Sequence, residues 1–415
     1  MNWDGRQSVF DSAGKQMPDE QAAENTEHVW NIIEQAMKFS NKESATIPTE
    51  KSLYDYFQEQ VATMFPGNNE ELKKKRQTIL DMAEMWGAFV GSPIQTQSLK
   101  FFWLEECIDG ENLFVASTYD KILKKIAEPA LKHATILFEH KVKTITSQES
   151  NGQTSVTLEL EGRRSMTFDE VVMTAPLGWL KRNMSAFTPE LPARFQKAVE
   201  NLGYGHLDKV YVTFPTAFWD TPSQSAPSHS THWPGFTHWP HPTFTPSTNP
   251  QAWNQEAVNL AALPHSTAHP TLLFYTYGPT SQHLGSRLSS LPSSKHTEAL
   301  LAFFTPYFSL LPNYSPSNPS CHPTAVLATA WANDELAGYG SYCNFQTGLE
   351  KGDEDIETLR KGLPERGIWV AGEHCAPFVA LGTVTGAYWS GEGVGKRVGE
   401  VWGLSGRGGG DVDEV

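Results

Sequence analysis

Cysteine is scarce in this chain and shows no pairing pattern. The four cysteines, Cys107, Cys321, Cys343 and Cys375, lie far apart in the sequence. A disulfide scaffold and a zinc knuckle both need cysteines at short regular spacings, so the sequence argues against both. We expect the protein to work in a reducing compartment.

Long apolar runs are also missing. No stretch of about 18 apolar residues occurs, so no membrane-spanning helix and no membrane partner are predicted. The segment from Met1 to Arg6 lacks the features of a secretory signal, and Asp411 to Val415 matches no peroxisomal or ER address. We expect a cytoplasmic protein, with the peroxisome and the nucleus as alternatives.

Positive charge is in short supply, because 32 Lys and Arg residues face 47 Asp and Glu residues, for a net charge of -15. This balance disfavours nucleic acid as a partner, since a phosphate backbone needs a basic surface. It would suit a cationic small molecule such as a polyamine. The simpler interpretation, an ordinary acidic soluble protein, is favoured because net charge mainly reports solubility.

The pattern of apolar residues changes along the chain. Residues 20–90 have apolar side chains at three- and four-residue intervals, which predicts helices without intervening strands. A helix from Tyr119 to His133 is followed by predicted short strands, at residues 136–138, 142–145, 154–160 and 170–175. This order is typical of a helical subdomain joined to a mixed sheet.

Residues 220–270 have a different composition, rich in Pro, Ser, Thr and His and without periodicity, which predicts a long disordered insertion. Six histidines occur there: His229, His232, His238, His241, His265 and His269. Histidine clusters can bind metal, but no carboxylate or thiol accompanies the first four. We therefore predict no metal site.

The stretch from Gly367 to His374 carries the first sign of a ligand site. Four apolar residues predict a short buried strand, which ends at Gly372 and is followed by Glu373. In open α/β sheets, ligands sit beyond the carboxyl ends of the strands. The carboxylate of Glu373 is therefore placed to bind ribityl or ribose hydroxyls.

A helix is predicted to follow, with Thr383 as its N-cap. The residues expected to share one face are Val384, Ala387, Tyr388, Gly391, Val394, Val398 and Val401. Internal glycines, each costing about 1 kcal/mol relative to Ala, indicate close approach of a backbone or a flat ligand. The helix start would favour a negatively charged ligand such as reduced flavin. A glycine-rich helix packed on a sheet without a ligand is the alternative.

Two segments, Ala371 to His374 and Gly382 to Gly391, closely resemble the C-terminal flavin motif of the flavin-containing amine oxidases. That family includes polyamine oxidases, monoamine oxidases and lysine-specific histone demethylases. Other segments resemble the family in the same order: Val171 to Lys181, Phe187 to Pro192, Gly203 to Val210, Phe218 to Trp219, and Trp331 to Asp334 with Gly340 to Tyr342. The joint agreement of ordered segments is far more specific than any one of them.

The resemblance implies roles for individual residues. Lys209 matches the lysine that holds a water molecule at N5 of the flavin, and Tyr342 and Tyr388 match the aromatic pair that flanks the substrate amine. The residues matched to cofactor-binding positions are Val142, Thr174, Gly372, Glu373, Thr383 and Val384. The alternatives are a surface lysine and two tyrosines in ordinary core packing.

The resemblance implies FAD as the cofactor, bound without a covalent link. In monoamine oxidases the linking cysteine precedes the substrate tyrosine, and Ser341 occupies that position here. The family also begins with a strand, a Gly-x-Gly-x-x-Gly turn and a helix that bind the pyrophosphate, and no such fingerprint occurs in this sequence. We therefore expect an N-terminally truncated chain in which the strand before Gly372 has an exposed edge.

The expected fold class is α/β with α+β elements. It is a two-domain FAD-dependent amine oxidase fold that lacks the first Rossmann βαβ unit, with a helical and antiparallel-sheet substrate domain. The expected segments are 1–100 (helical part of the substrate domain), 101–178 (FAD domain), 179–350 (substrate domain), 351–403 (FAD domain) and 404–415 (disordered tail).

The expected function is FAD-dependent oxidation of a polyamine-like amine to an imine, with release of hydrogen peroxide. The expected partners are a small-molecule amine and dioxygen, and the oligomeric state is left open. The first alternative is an inactive or truncated fragment without bound FAD. A histone-lysine demethylase-like role ranks lower, because the sequence shows no added histone- or DNA-binding module and no basic patch. An amino-acid oxidase would need an arginine for the substrate carboxylate, which the sequence does not place.

Overall fold

The computed structural model describes residues 6–404, apart from residues 107, 109–114, 116–117, 221–232 and 265. The chain divides into two compact units. Unit 1 consists of Met1–Trp103, Asp109–Leu137 and Tyr204–Leu349, and unit 2 consists of Leu104–Ile108, Phe138–Gly203 and Glu350–Val415. Most of the predicted disordered tail, residues 405–415, lies outside the described residues.

The helices of the described residues are α1 (Asp19–Glu43), α2 (Leu53–Met64), α3 (Glu70–Ala83), α4 (Gly87–Val90), α5 (Asp120–Leu131), α6 (Leu177–Arg182), α7 (Ala193–Asn201), α8 (Gly278–Ser289), α9 (His296–Phe308), α10 (Gly352–Lys361) and α11 (Val384–Val401). None of them is long and apolar enough to span a membrane, within the residues that the structure describes.

The strands of the described residues are β1 (Gln7–Val9), β2 (Val142–Ser150), β3 (Gln153–Leu160), β4 (Met166–Phe168), β5 (Val171–Met173), β6 (Phe187–Thr188), β7 (Gly203–Tyr204), β8 (Leu207–Thr213), β9 (Phe236–Trp239), β10 (Gln255–Asn259), β11 (Thr271–Tyr277), β12 (Ala325–Ala328), β13 (Cys343–Asn344) and β14 (Ile368–Val370). The short strands β7 and β13 pair with each other.

Helices α1, α2 and α3 form the first part of unit 1, which confirms the helical prediction for residues 20–90. Helix α2 begins with a capping box, in which Oγ of Ser52 accepts from the N–H of Asp55 at 3.1 Å and the Asp55 carboxylate accepts from the N–H of Ser52 at 2.9 Å. This exchange satisfies donors that a helix start leaves unpaired. The three helices enclose a core of buried apolar residues, among them Ile32, Leu53, Phe57 and Ile79.

A six-stranded sheet completes unit 1, in the order β1-β9-β10-β11-β8-β12. All neighbouring strands are antiparallel except β1 and β9, which are parallel. One face packs on α8 and α9 through buried aromatic residues, including Phe214, Phe274, Phe303 and Phe304. The opposite face carries Tyr211, Leu273 and Tyr275, because side chains alternate along each strand.

The prediction of a disordered insertion over residues 220–270 is wrong where β9 and β10 form. Strand β10 is buried along its whole length, between β9 and β11. Its Asn259 accepts from Nε1 of Trp219 at 2.9 Å and donates to the carbonyl of Trp233 at 3.1 Å. Pairing with distant strands, and not local periodicity, makes this segment a strand, so composition could not predict it. Residues 221–232 and 265, with three of the histidines, lie outside the described residues.

Unit 2 contains a four-stranded sheet, in the order β4-β3-β2-β6, and a parallel pair of strands, β14 and β5. Strands β5 and β14 confirm the strands predicted over residues 170–175 and before Gly372.

Helices α7 and α10 of unit 2 pack around Asp355, which is fully buried and accepts hydrogen bonds from Arg194 and Asn201. The architecture is mixed α/β with α+β elements, as the sequence predicts.

Candidate functional site

Two parallel strands of unit 2 end side by side at the first part of the candidate site. Val370 at the end of β14 pairs with Met173 at the end of β5, and the N–H of Ala371 donates to the carbonyl of Met173 at 3.0 Å. The strands run in the same direction, so the residues that follow them, Thr174 and Gly372, share one edge. Ligands of α/β sheets sit at this edge. The structure therefore brings together three predicted cofactor-binding residues, Thr174, Gly372 and Glu373.

The start of helix α11 lies beside the same strand end. Thr383 is its N-cap, as predicted, with Oγ1 accepting from the N–H of Gly386 at 2.9 Å. The N–H of Gly382 donates to the carbonyl of Glu373 at 3.4 Å, which joins the loop before the helix to the strand end. The first N–H groups of a helix have no acceptor within it and carry a partial positive charge. A ligand at this place would meet both a carboxylate and a helix start.

A network behind this edge fixes the helix to the strand. Ser390 of α11 is buried, and its Oγ accepts from the N–H of Gly372 at 3.1 Å. The thiol of Cys375 lies 3.4 Å from the same Oγ and contacts the carbonyls of Val370 and Gly372. Burial raises the pKa of Cys375 to about 11, so the thiol stays protonated at neutral pH and acts as a donor. Ser390 lies within the motif from Gly382 to Gly391, but no sequence signal indicates that its side chain faces Gly372.

The sequence predicts that the apolar residues of helix α11 share one face, but the structure divides them between a packed side and an open side. Its buried residues are Gly386, Ser390 and Val394. Val384 is 62% exposed and Tyr388 47% exposed, one helical turn apart. The predicted single apolar face is therefore wrong, because Val394 lies on the packed side, whereas Val384 and Tyr388 lie on the open side. The open side holds two of the residues that the family resemblance matches to ligand contacts.

Close approach explains one of the helix glycines and not the others. A Cβ at Gly386 would lie 2.0 Å from the carbonyl oxygen of Ala380 and 2.8 Å from Cβ of Ala376. A Cβ at Gly391 or Gly395 would meet no described atom within 4 Å. The expectation that every internal glycine marks a close approach is thus wrong for these two, whereas Gly386 is required by the loop that crosses the helix start.

Val142, the remaining cofactor candidate, lies in another sheet of unit 2. It begins β2 and pairs with Leu160 of β3, next to a register shift between Val142 and Thr144. It is half-buried. The structure thus places Val142 in the same unit as the strand-end edge but on a different element.

Lys209 lies in unit 1, in the middle of β8. Its Nζ lies 5.5 Å from the ring centroid of Tyr275, the residue directly opposite on β11. Burial lowers the pKa of Lys209, because the ammonium loses hydration, and no carboxylate in the described residues forms an ion pair with it. A larger fraction of this amine is therefore neutral, and able to accept a proton, than in an exposed lysine. Tyr275 has no sequence signal, since only the register of the sheet brings it to Lys209.

The neighbour of Lys209 on the other sheet face is a buried carboxylate. Asp208 accepts hydrogen bonds from Oγ of Ser281 at 2.5 Å, from Oγ1 of Thr329 at 2.7 Å and from the N–H of Trp331 at 2.7 Å. These bonds hold α8 and the turn after β12 to β8. Asp208 is thus a positioning residue for the strand that carries Lys209.

Tyr342 also belongs to unit 1, whereas Tyr388 belongs to unit 2. The hydroxyl of Tyr342 donates to the carbonyl of Phe89 in α4 at 2.5 Å. Ser341, the residue before it, accepts from the N–H of Leu207 at 3.0 Å and donates to the carbonyl of Gly205 at 3.0 Å. The segment with Tyr342 is therefore tied both to α4 and to the start of β8.

The residues of unit 2 fit a flavin in two respects. Glu373 supplies an acceptor for hydroxyl groups at a strand end, and the start of α11 supplies N–H donors for the electron-rich edge of the ring. Because Gly386 has no side chain, the loop at Ala380 can pass close to the start of α11. The strand-end edge of the sheet therefore keeps its shape only with glycine at that position.

Comparisons with known proteins identify the family of this chain. The family model described as flavin containing amine oxidoreductase matches residues 3–398. The chain is 32% identical over 122 residues to "Probable polyamine oxidase 4" of Arabidopsis thaliana, a match that covers 29% of this chain and 23% of the relative. It is 26% identical over 285 residues to "Lysine-specific histone demethylase 1 homolog 2" of Arabidopsis thaliana, covering 68% of this chain and 32% of the relative.

A solved structure shares the fold. Cyclohexylamine oxidase from Brevibacterium oxydans IH-35A superposes with a TM-score of 0.66 over 96% of this chain and 81% of that chain, at 17% sequence identity. At this identity the likeness concerns the fold alone. The match to the curated relatives spans about a quarter to a third of their length.

Proposed function

The chain belongs to the family of flavin-containing amine oxidoreductases, and we propose that it oxidises a polyamine-like amine with FAD bound non-covalently. The observation that carries the proposal is the edge in unit 2 where Thr174, Gly372 and Glu373 meet the start of α11. Ser341, not a cysteine, precedes Tyr342, which supports a cofactor held without a covalent bond.

FAD, when bound, supplies the acceptor for two electrons and a hydrogen from the carbon next to the amine nitrogen, and dioxygen then becomes hydrogen peroxide. The residues of the chain do the rest. Glu373 would accept hydrogen bonds from ribityl hydroxyls, and the N–H groups after Thr383 would stabilise negative charge on the ring edge. Val142 and Thr174 are assigned to the adenine half by their match to the family.

Lys209 is assigned to the water that attacks the imine carbon. Burial lowers the pKa of its ammonium, so that Nζ can accept a proton from water at a pH where an exposed lysine cannot. The balanced reaction consumes a secondary amine, dioxygen and water, and it releases an aldehyde, a shorter amine and hydrogen peroxide. Tyr342 and Tyr388 are assigned to the flanks of the substrate amine, where aromatic faces desolvate a neutral nitrogen.

The first test is the purified full chain itself. We expect near-stoichiometric flavin absorbance and release of peroxide with spermine or spermidine. A chain that carries FAD yet turns over no amine refutes the proposal. A colourless chain that takes up no added FAD supports the alternative of a fragment without cofactor.

A peptide with a methylated lysine separates the proposal from its rival. The demethylase relative matches over 68% of this chain, which makes methyl-lysine the competing substrate. The net charge of -15 favours a free polycation over a peptide only weakly, because it is a property of the whole chain and not of a binding site. Peroxide release with the peptide and none with polyamines would overturn the polyamine assignment.

A further inference from the structure

Unit 1 holds a cavity that none of the roles above uses. It lies between α1, α4 and the sheet face that carries Lys209, is open to solvent on one side, and has a volume of about 90 Å³. Its walls are largely aromatic, with Trp30, Trp86, Phe89 and Phe236 among the lining residues. Its lining also includes His238 and Glu256 of the sheet.

Three of the aromatic side chains, Trp30, Trp86 and Phe89, pack against one another and form an aromatic wall of the cavity. The ring centroids of Trp30 and Trp86 lie 5.9 Å apart at 81°, and those of Trp86 and Phe89 lie 5.1 Å apart. Trp30 is 43% exposed and Phe89 51% exposed, so large apolar rings face water at the opening. Exposed aromatic clusters around a cavity mark ligand sites, and the faces of such rings attract cations.

A buried carboxylate lies among these rings. Glu256 is 3% exposed, and its only ion-pair partner in the described residues is His238, with Nδ1 3.2 Å from Oε2. That contact does not have the geometry of a hydrogen bond. Nε2 of His238 instead lies 3.0 Å from Oε1 of Gln7, which accepts a hydrogen bond in the tautomer that has its proton on Nε2. In that tautomer a lone pair of Nδ1 faces the carboxylate, and a donor from outside can bridge the two.

The register of the sheet joins this carboxylate to Lys209. His238 pairs with Glu256, Glu256 with Tyr275, and Tyr275 with Lys209, so the four residues form one row across four strands. Two strand spacings separate Glu256 from Lys209, or roughly 10 Å. Tyr342 contacts the same cavity wall through its hydrogen bond to Phe89.

We propose that this cavity binds an alkylammonium group of a di- or polyamine, with Glu256 as the counter-charge and the aromatic wall as its apolar contact surface. An ammonium donates N–H bonds to the carboxylate and to Nδ1 of His238, and its methylene groups contact Trp30 and Phe89. A buried, poorly paired carboxylate is costly, and a cationic ligand offsets that cost. The inference deepens the proposed function, on which its substrate class rests, because it gives the second nitrogen of the substrate a place.

Binding can be measured without flavin or turnover. Spermidine is titrated into the full chain and followed by tryptophan fluorescence and calorimetry, with hexane-1,6-diol as the neutral probe. We expect Glu256→Gln to weaken spermidine binding by about tenfold or more, since a charged hydrogen bond is lost, and to leave the diol unchanged. Equal binding of both probes, or an unchanged affinity in Glu256→Gln, overturns the proposal.

A second pair of variants keeps the proposal testable if Glu256→Gln, a change at a buried position, does not fold. Trp30 lies at the opening, so Trp30→Ala should fold and weaken spermidine binding by about threefold to tenfold. Trp331 is 45% exposed, which makes Trp331→Ala the matched control without effect on binding. Equal effects of the two variants overturn the proposal. Glu256-dependent binding without amine turnover would instead refute the proposed function and leave the cavity assignment standing.

Discussion

Replacing Gly386 with alanine places a methyl group where the start of helix α11 has no room. The new Cβ would lie 2.0 Å from the carbonyl oxygen of Ala380 and 2.8 Å from Cβ of Ala376. Overpacking of this kind costs about 1–3 kcal/mol, and a backbone oxygen cannot rotate away from the contact. Alanine regains about 1 kcal/mol of helix propensity. Taking about 3 kcal/mol for overpacking and subtracting about 1 kcal/mol for helix propensity, we expect the free energy of unfolding to fall by about 2 kcal/mol.

The same substitution elsewhere in the helix should have the opposite sign. A Cβ at Gly391 or Gly395 would meet no described atom within 4 Å. Gly391→Ala and Gly395→Ala should each stabilise the fold by up to about 1 kcal/mol, since only helix propensity changes. Urea denaturation at equilibrium measures all three variants on one scale.

The outcome that refutes this reasoning is a Gly386→Ala variant as stable as Gly391→Ala. The variant also tests the cofactor edge, because the loop over the helix start must shift. We expect its FAD affinity to fall, whereas that of Gly391→Ala stays at the wild-type value.

Three further predictions concern single side chains. Lys209→Met should lower peroxide release by about 10²-fold or more, because proton transfer to Nζ is lost, with flavin absorbance unchanged; a wild-type rate would remove Lys209 from the mechanism. Thr383→Ala should cost about 1 kcal/mol in urea denaturation through the lost N-cap, and Thr383→Ser should retain most of it; equal losses would contradict a hydroxyl cap. Burial lowers the pKa of Lys181 to about 8, below its usual value of 10.5. The unfolded chain then binds more protons between these values, so the free energy of unfolding should rise with pH across that window, and Lys181→Met should reduce the rise.

Local patterns in the sequence predicted the secondary structure of the candidate edge well. The strand before Gly372, the N-cap at Thr383 and the helix after it depend on neighbours within a few residues, and the structure confirms all three. Strand β5 followed from the short apolar run over residues 170–175, which Pro176 stops, whereas its parallel pairing with β14 was not predicted. These signals depend only on neighbouring residues, so a single sequence is enough to predict the strands, the N-cap and the helix.

Non-local contacts set the features that the sequence did not predict. Strand β10 contains Gln255, Glu256 and Asn259, whose burial depends on partners in β9, β11 and the loop at Trp233. The row that links Glu256 to Lys209 exists only through the register of the sheet. The exposed side of α11 was misassigned for the same reason, because Ser390 faces the strand end through a hydrogen bond that periodicity does not show.

Anaerobic mixing of the flavin-loaded chain with spermine tests most directly whether this chain passes electrons from an amine to FAD. We predict that the absorbance of oxidised flavin bleaches on mixing and returns when air is admitted, with one equivalent of hydrogen peroxide released. Flavin that stays oxidised with spermine, spermidine and a methyl-lysine peptide would contradict the account.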